Sequence, residues 1–226
     1  MKQLSILLLL GVAFTGAGAQ TKDTTNPRLV DQHIPLGPGV SVKLDIQITD
    51  SIQVVVWDKS EAWVKGSIDI NQNKNNDNYV VSFDKTDNQL EVKTRLEFPK
   101  DAKNGRCCNC NCNNAEVAFT VYVPANTDVS IETINGNITI KGQTGAIRAH
   151  SISGFVDLAV SPERKADLKF STISGNMYSN LELDVQDKNL RQVGGNVTTT
   201  LNGGGGKAID LETISGDIFL RKAKEG

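Results

Sequence analysis

The chain has 226 residues, enough for one large all-β domain or two small ones. Without residues 1–19, which carry the single charge of Lys2, it has 23 Lys and Arg against 26 Asp and Glu, a net charge of −3. This balance argues against nucleic acid or an anionic membrane surface as a partner. With 20 glycines and only 6 prolines, the composition favours strands joined by tight turns over helices.

The first predicted element is a signal peptide at residues 1–19. Leu4 to Phe14 form an apolar segment that is short for a membrane span, and Ala17-Gly18-Ala19 is a cleavage site of the A-x-A type. Cleavage there would leave Gln20 as the new N-terminus; the alternative is an uncleaved anchor. The sequence therefore predicts an exported protein, located in the periplasm, on the outer surface or outside the cell, with no membrane span in the mature chain.

Residues 20–34 are polar and are predicted to be a flexible lead-in. Residues 35–126 are predicted to form an antiparallel β region, because short segments alternate apolar and polar residues between Gly, Asn, Asp and Pro. Trp57 and Trp63 are expected to be half-buried anchors of this region. The alternative is a surface role for one of them in stacking on carbohydrate.

All four cysteines lie within six residues, in a Gly- and Asn-rich loop predicted at 104–114: Cys107, Cys108, Cys110 and Cys112. Export would place them where disulfides persist, so local disulfides are the first prediction, although so short a loop gains little entropy. A thiolate metal site is the second possibility. Its spacing suits a soft ion such as Cu(I) better than zinc, which usually takes two separated Cys pairs. A redox relay is the third, and no cofactor is predicted.

Residues 127–226 repeat a motif of Thr or Ser, Ile, Asn or Ser, and Gly. The parity of the apolar positions changes at each motif, as from odd to even at the copy at 133, so the motif is predicted to be a corner whose Gly turns with φ > 0. One such unit cannot bury its apolar face alone, so the copies are expected to stack about 4.8 Å apart. The motif residues are Thr133, Gly136, Ser151, Gly154, Thr172, Gly175, Thr213 and Gly216.

The predicted fold class is all-β, with a β-solenoid or β-roll (single-stranded β-helix-like) C-terminal half continuous with the N-terminal antiparallel region. Stacking would place the motif hydroxyls in one row and Asn137, Asn176 and Asp217 in another. The last coil, 218–220, is expected to be an exposed edge followed by charged residues that oppose edge pairing, so a monomer is expected. The four glycines at 203–206 are expected to be a mobile loop. A phosphate-binding loop is the weaker alternative, since no Lys-Ser or Lys-Thr follows.

Several of these segments resemble the bacterial "putative adhesin" family of exported β-helical repeat proteins, including its LiaG-like members. The resemblance rests on the Thr-Ile-Ser-Gly-Asp-Ile copy at 213–218 with the Gly-rich segment before it, on the weaker copies at 133, 151 and 172, and on Val54-Val55-Val56-Trp57-Asp58. It covers roughly residues 35–226. It implies a fold and an envelope location, and it supplies no catalytic residues. The Cys-rich insertion departs from the family pattern.

No active site is apparent, and the chain is predicted not to be an enzyme. His33 and His150 have no Ser or Cys with an orienting carboxylate near them in sequence. The acids of the repeat region look scattered, without pairs at matching coil positions. These acids are Asp157, Glu163, Asp167, Asp184 and Glu212.

The predicted function is that of a non-catalytic exported cell-envelope protein, which presents a β-helical surface for binding or adhesion to an unknown envelope protein or glycan. One alternative is an envelope-stress or regulatory accessory protein, which genomic neighbours would test. The other is a carbohydrate-active enzyme of β-helix type.

Overall fold

The computed structural model describes residues 26–97, 114–184 and 195–223. They form fifteen strands and one 3₁₀ turn at Asn76–Asn78, which confirms the all-β prediction. The strands are β1 (Arg28–Pro35), β2 (Ser41–Asp45), β3 (Ile48–Trp57), β4 (Glu61–Ile70), β5 (Tyr79–Lys85), β6 (Gln89–Leu96), β7 (Ala115–Pro124), β8 (Val129–Lys141), β9 (Ile147–Ser153), β10 (Val156–Val160), β11 (Ala166–Ser174), β12 (Met177–Ser179), β13 (Gly195–Leu201), β14 (Ile209–Ser215) and β15 (Ile218–Lys222).

The strands belong to one open mixed sheet whose pairing divides at β8. The first half of β8 pairs with β2 and β9, and the second half pairs with β3 and β10. The first strand series is therefore β5-β6-β2-β8-β9-β14-β11-β13, and the second is β1-β4-β7-β3-β8-β10-β15-β12. Antiparallel pairing occurs at β1–β4, β4–β7, β5–β6 and β11–β13, and the other pairs are parallel.

The inward side chains of both series form one hydrophobic cluster. Leu44 and Ile131 of the first series and Ile52 and Ile138 of the second are fully buried and belong to that cluster. Val, Ile and Leu at every second position suit this arrangement, because successive side chains of a strand point to opposite faces. The outward positions of each series are therefore left to face solvent.

The N-terminal half differs from the sequence expectation in two respects. Strand β1 begins at Arg28, inside the segment predicted to be a flexible lead-in. The region 35–126 is not purely antiparallel, because β2 pairs with β6, and β3 with β7, in parallel. Alternation of apolar residues determines which face of a strand is buried, and it contains no information about the direction of the neighbouring strand.

The four motif copies lie side by side in an order that differs from their order in the chain. Thr133 pairs with Ser151, Ser151 with Thr213, and Thr213 with Thr172. The last copy therefore lies between the second and the third. The expected exposed edge at 218–220 is wrong, because β15 pairs with β10 on one side and β12 on the other. Equivalent repeats have equivalent edges, so their sequence does not specify which two become neighbours.

Each motif forms a corner at which the burial pattern changes parity. In β8, Thr133 and Gly136 are buried while the two residues between them are exposed, so burial moves from odd to even positions. The second residue of each motif is an exposed isoleucine: Ile134, Ile152, Ile214 and Ile173. The motif hydroxyls are buried, and those of Ser151, Thr213 and Thr172 donate to glycine carbonyl oxygens of the neighbouring copy. These bonds are Ser151 Oγ to Gly136 (3.0 Å), Thr213 Oγ1 to Gly154 (3.1 Å) and Thr172 Oγ1 to Gly216 (3.2 Å).

The motif glycines are required mainly because neighbouring copies approach closely. A positive φ occurs at Gly136 (149°) and Gly154 (143°), whereas Gly175 and Gly216 lie outside the left-handed range, so the predicted turn conformation holds for only two of the four. At Gly216, a Cβ would overlap the carbonyl oxygen of Gly154, and similar overlaps with the adjacent layer occur at the other three. The shared constraint is therefore the small space between neighbouring motif copies.

The residues after the corner continue the polar contacts along the stack. Asn137 Oδ1 accepts the backbone N–H of Phe155 (3.2 Å), and Asp217 Oδ1 accepts the backbone N–H of Asn176 (2.8 Å).

Among the residues that the structure describes, no helix is long and apolar enough to cross a bilayer.

Candidate functional site

The predicted cysteine site lies outside the described residues, as does the predicted signal peptide. The disulfide, thiolate and redox hypotheses for Cys107, Cys108, Cys110 and Cys112 therefore stay predictions. Within 26–97, 114–184 and 195–223, no group of three or more His, Cys, Asp or Glu side chains is arranged to hold a metal ion.

His150 lies on the outer face of the first series, between two glutamates. Glu132 of β8 and Glu212 of β14 are its register partners on the two neighbouring strands. The expectation that no acids occupy matching coil positions is therefore wrong for this pair, since Glu132 and Glu212 each directly precede a motif threonine. The Nε2 atom of His150 is buried and has no hydrogen-bond partner among the described residues.

The glycine loop at 203–206 uses its backbone N–H groups within the protein. Gly203 donates to Asp184 Oδ2 (3.0 Å) and Gly205 donates to Asp167 Oδ1 (3.1 Å). Phosphate-binding loops need such N–H groups to point at the anion. Because carboxylates already accept them here, the geometry does not fit the phosphate-binding alternative.

The outer face of the first series carries ion pairs between neighbouring strands. Lys43 Nζ lies 2.9 Å from Glu91 Oε1, and this contact raises the pKa of Lys43 and lowers that of Glu91. Lys169 Nζ lies 3.5 Å from Asp210 Oδ2 on the adjacent strand. Opposite charges in register satisfy one another at these positions, whereas the Nε2 atom of His150 on the same face has no partner among the described residues.

The outer face of the second series is different, because it carries a cluster of aromatic rings. We define the aromatic cluster as His33 of β1, Trp63 of β4, Tyr122 of β7 and Trp57 of β3. His33, Trp63 and Tyr122 are register partners across three strands. The ring centroids lie 4.9 Å apart for His33–Trp63, 5.1 Å for Trp63–Tyr122, 5.3 Å for Trp57–Tyr122 and 5.7 Å for Trp57–Trp63.

Polar contacts hold the tryptophan rings in place. Trp63 Nε1 donates to Asp31 Oδ1 (2.6 Å), and Trp57 Nε1 donates to the carbonyl oxygen of Glu61 (2.9 Å). The Glu61 carboxylate lies 3.1 Å from His33 Nδ1. With their N–H groups bonded and their neighbours stacked, the rings are pre-positioned. A fixed aromatic surface binds a ligand with little loss of conformational freedom.

Two lysines border the cluster. Lys65 Nζ lies 4.6 Å from the centroid of Trp63, and Lys59 Nζ lies 4.8 Å from that of Trp57, both within the range of cation–π contacts. A shallow depression of about 280 Å³ adjoins the cluster on the same face. Its lining residues are Leu29, Val30, Asp31, Lys65, Gly66, Ser67, Ala118 and Thr120. Rings, small side chains, an ammonium group and a carboxylate thus meet at one place.

A second depression of about 340 Å³ lies among the loops at 36–40 and 124–128, beside Lys207. Its two charged side chains, Asp128 and Lys207, form an ion pair with each other. Lys207 Nζ lies 3.2 Å from Asp128 Oδ1, which also accepts the backbone N–H of Ala146 (2.7 Å). We therefore take the aromatic cluster and its depression as the candidate site.

Sequence reasoning identified part of this site. It singled out Trp57 and Trp63, and the structure finds both half-buried on the outer face. It missed His33 and Tyr122, which reach the tryptophans only through the pairing of β1, β4 and β7. The only available signal was that His33 and Tyr122 each occupy an outward-facing position in the alternation of their own strand.

No protein-family model matches the sequence, and no curated protein matches it significantly. A solved structure of a "putative cell adhesion protein" from Clostridium sporogenes is similar in fold, with a TM-score of 0.56 and 12% sequence identity over 87% of this chain and 100% of that one. A "putative adhesin" from Bacteroides fragilis aligns at 10% identity over 86% and 97% of the two chains, with a TM-score of 0.22. One from Parabacteroides merdae aligns at 10% identity over 67% and 69%, with a TM-score of 0.28. TM-scores this low do not establish a shared fold, so the fold similarity rests on the Clostridium protein.

Proposed function

We propose that the protein is a non-catalytic, exported binding protein of the cell envelope that recognises a glycan through the aromatic cluster and its depression. The observation that carries this proposal is the four-ring cluster on an outer sheet face, bordered by Lys65 and Asp31. The C–H faces of a sugar pack on aromatic surfaces, while its hydroxyl groups need hydrogen-bond partners close by. The cluster provides the aromatic surface, and the polar groups at its rim provide the hydrogen-bond partners.

Two further observations support an adhesin-like role. The sequence begins with the features of a signal peptide, which would bring the protein to the envelope. The Clostridium protein of similar fold is described as a cell adhesion protein. Fold similarity at this identity does not transfer a function, so these points agree with the proposal without carrying it.

The proposal includes a β-roll architecture for residues 127–226. It is supported by the parallel, in-register pairing of β8, β9, β14 and β11, and of the second half of β8 with β10, β15 and β12. Such stacks present flat faces that extend across many strands, which suits the recognition of large partners.

A glycan-binding panel tests the proposal. The mature protein is titrated by calorimetry with soluble cell-wall and capsular polysaccharides and with neutral glucans, xylans and mannans. We expect at least one to bind and Trp63→Ala to weaken that binding about tenfold or more, because aromatic anchors dominate such interfaces. Lys169→Ala, on the opposite outer face, is the matched control and should bind as the wild type does.

Two results would contradict the proposal: binding of no member of the panel, or equal binding by the Trp63→Ala protein. Because Trp63 is half-buried, a second variant guards against misfolding. Lys65→Ala changes an exposed side chain at the edge of the depression and should weaken binding without lowering the unfolding temperature.

The row Glu132–His150–Glu212 favours a second candidate, a glycan-cleaving activity. Two carboxylates flank an imidazole on neighbouring strands, and paired carboxylates are the usual machinery of glycoside hydrolysis. Release of reducing ends from the same panel would test it. Turnover that disappears in Glu132→Gln and Glu212→Gln would replace the non-catalytic proposal.

A further inference from the structure

A second aromatic cluster lies on the same outer face, toward the other end of the stack. It consists of Phe155, Tyr178 and Phe219. The Tyr178 and Phe219 rings are stacked with centroids 5.2 Å apart, and Phe155 meets Phe219 edge to face at 6.1 Å. Tyr178 is 51% exposed and Phe155 is 36% exposed, so the protein leaves much of this surface open to solvent.

Charged groups accompany this second cluster as they do the first. Arg221 lies over the Phe219 ring at 4.8 Å, and its Nε lies 2.9 Å from Asp157 Oδ1. The first cluster has Lys65 over Trp63 and Asp31 bonded to the same indole. Each cluster thus combines aromatic rings with stacked cations and carboxylates, although the two clusters come from unrelated parts of the chain.

One register row connects the two clusters without interruption. Each member is the register partner of the next on an adjacent strand, and every one points outward. The row runs Asp31, Lys65, Thr120, Gln53, Thr139, Asp157, Phe219 and Tyr178. Five strand steps separate β4 from β15, which amounts to about 24 Å at about 4.8 Å per step.

The middle of the row is neutral and polar. Thr120, Gln53 and Thr139 provide hydroxyl and amide groups that can both donate and accept hydrogen bonds. They recur once per strand, and the strand spacing of about 4.8 Å is close to the length of one hexose unit in an extended glycan. Because the charges at either end are close to balanced in sign, the surface favours a neutral polymer over a strongly charged one.

We propose that the two aromatic clusters are the ends of one elongated binding surface, which holds an extended neutral polysaccharide lying across the strands of the second series. This inference rests on the proposed function and specifies its ligand class. The aromatic cluster at Trp63 would bind one part of the polymer, the row would bind its hydroxyl groups, and Tyr178 and Phe219 would bind a part about 24 Å away.

The test uses the neutral polysaccharide that binds best in the panel, as purified fragments of increasing length. Calorimetric affinities are measured for wild type, Trp63→Ala and Tyr178→Ala. Ile173→Ala is the matched control, because Ile173 is an exposed apolar residue of β11, a strand of the first series, and lies outside the row. We expect affinity to rise with fragment length until the fragment covers both clusters. We expect Tyr178→Ala to weaken long fragments about tenfold while leaving the shortest unchanged.

The outcomes separate the two proposals. Long fragments that bind no better than short ones, or an unchanged affinity of Tyr178→Ala for long fragments, would overturn the elongated surface and leave glycan binding at Trp63 intact. If Trp63→Ala also binds normally, or if no panel member binds, the proposed function fails with it. Weakening of long fragments by Ile173→Ala to the same extent would show that the effect is not specific to the row.

Discussion

The threonine or serine of each motif donates its hydroxyl hydrogen where water does not reach. Thr213 is 1% exposed, and its Oγ1 lies 3.1 Å from the carbonyl oxygen of Gly154, which lies between β9 and β10. A valine would fill nearly the same volume, but it would leave that carbonyl without this donor. Burying an unsatisfied polar group costs about 1–3 kcal/mol.

We therefore expect Thr213→Val to lower the free energy of unfolding by about 1–3 kcal/mol. Thr213→Ser keeps the hydroxyl and should cost less. Thr198→Val, at an exposed position of β13, should change stability by no more than about 0.5 kcal/mol. Urea denaturation of the three variants provides the measurement, and equal stability of Thr213→Val and wild type would show that the hydroxyl row contributes nothing.

Tyr79 gives the protein a pH dependence at high pH. Its ring is 1% exposed, its hydroxyl donates to the carbonyl oxygen of Ile48 (2.6 Å), and burial raises its pKa to about 12. In the unfolded chain a tyrosine loses its proton near pH 10. Between these values the folded state binds more protons, so the free energy of unfolding must fall as pH rises from about 10 to 12.

The expected loss from Tyr79 across this range is about 2–3 kcal/mol. Tyr79→Phe lacks the titrating group, so its stability should decline less between pH 9 and 11.5, from a lower starting value caused by the missing hydrogen bond. Denaturation curves of both proteins at the two pH values make the comparison. Identical declines would mean that the phenol titrates normally in the folded protein.

At the scale of elements, the position of β15 between two strands determines how much its residues contribute to the stability of the fold. Ile218 is fully buried and pairs with Val156 on one side and Met177 on the other. Met177 belongs to the terminal strand β12 and is only half-buried. The two residues share one register position, but Ile218 has a neighbouring strand on each side, whereas Met177 has one on a single side.

We expect Ile218→Ala to cost about 2–5 kcal/mol, as in a well-packed core. Met177→Ala should cost about 1 kcal/mol, since much of its side chain is already accessible to water. Guanidinium denaturation of the two variants tests the position of β15. Similar small losses for both would indicate that β15 is a terminal strand, as its place at the end of the sequence suggested.

The corner could be predicted from the sequence, because the parity of the apolar residues changes at each motif. A strand that keeps its apolar side chains on one face needs such a corner where that parity changes. The order of the copies could not be read. The edges of the copies at 133, 151, 172 and 213 are chemically similar, and the choice between them depends on packing over the whole stack. The direction of β3 against β7 was unreadable for a related reason, since alternation is the same in parallel and antiparallel pairs.

The candidate site was predictable only in part. Trp57 and Trp63 stand out as the only tryptophans in the chain. Tyr122 joins them through β7, and His33 joins them through β1, a strand inside a segment whose polarity indicated a flexible lead-in. A site assembled from four strands depends on long-range register, which a local pattern of residues does not encode.

At the scale of the whole molecule, the two outer faces have different chemistry. Ion pairs join neighbouring strands of the first series, whereas rings and neutral polar groups run across the second. The inward sides of both belong to one core, so both faces are held by the same packing. The face that carries the candidate site is therefore as well supported as the face that carries the ion pairs between strands.

Stability should also vary along the stack. Strands β8, β9 and β14 have neighbours on both sides, whereas β5 and β13 each pair with one strand. We expect backbone amides of β8, β9 and β14 to exchange with deuterium most slowly, and those of β5 and β13 at least tenfold faster, since terminal strands open locally. Hydrogen exchange read by mass spectrometry checks this. Protection that is uniform or greatest at β13 would contradict it.

The insertion of the last motif copy between the second and third has a consequence for biogenesis. The parallel partner of β11 is β14, so the third copy lacks its final parallel neighbour until residues 209–222 have been synthesised. The C-terminal half therefore cannot be completed copy by copy as the chain emerges from the ribosome. Pairing of β11 with β14 instead joins segments that lie far apart in the chain, so this part of the sheet forms only after residues 209–215 are present.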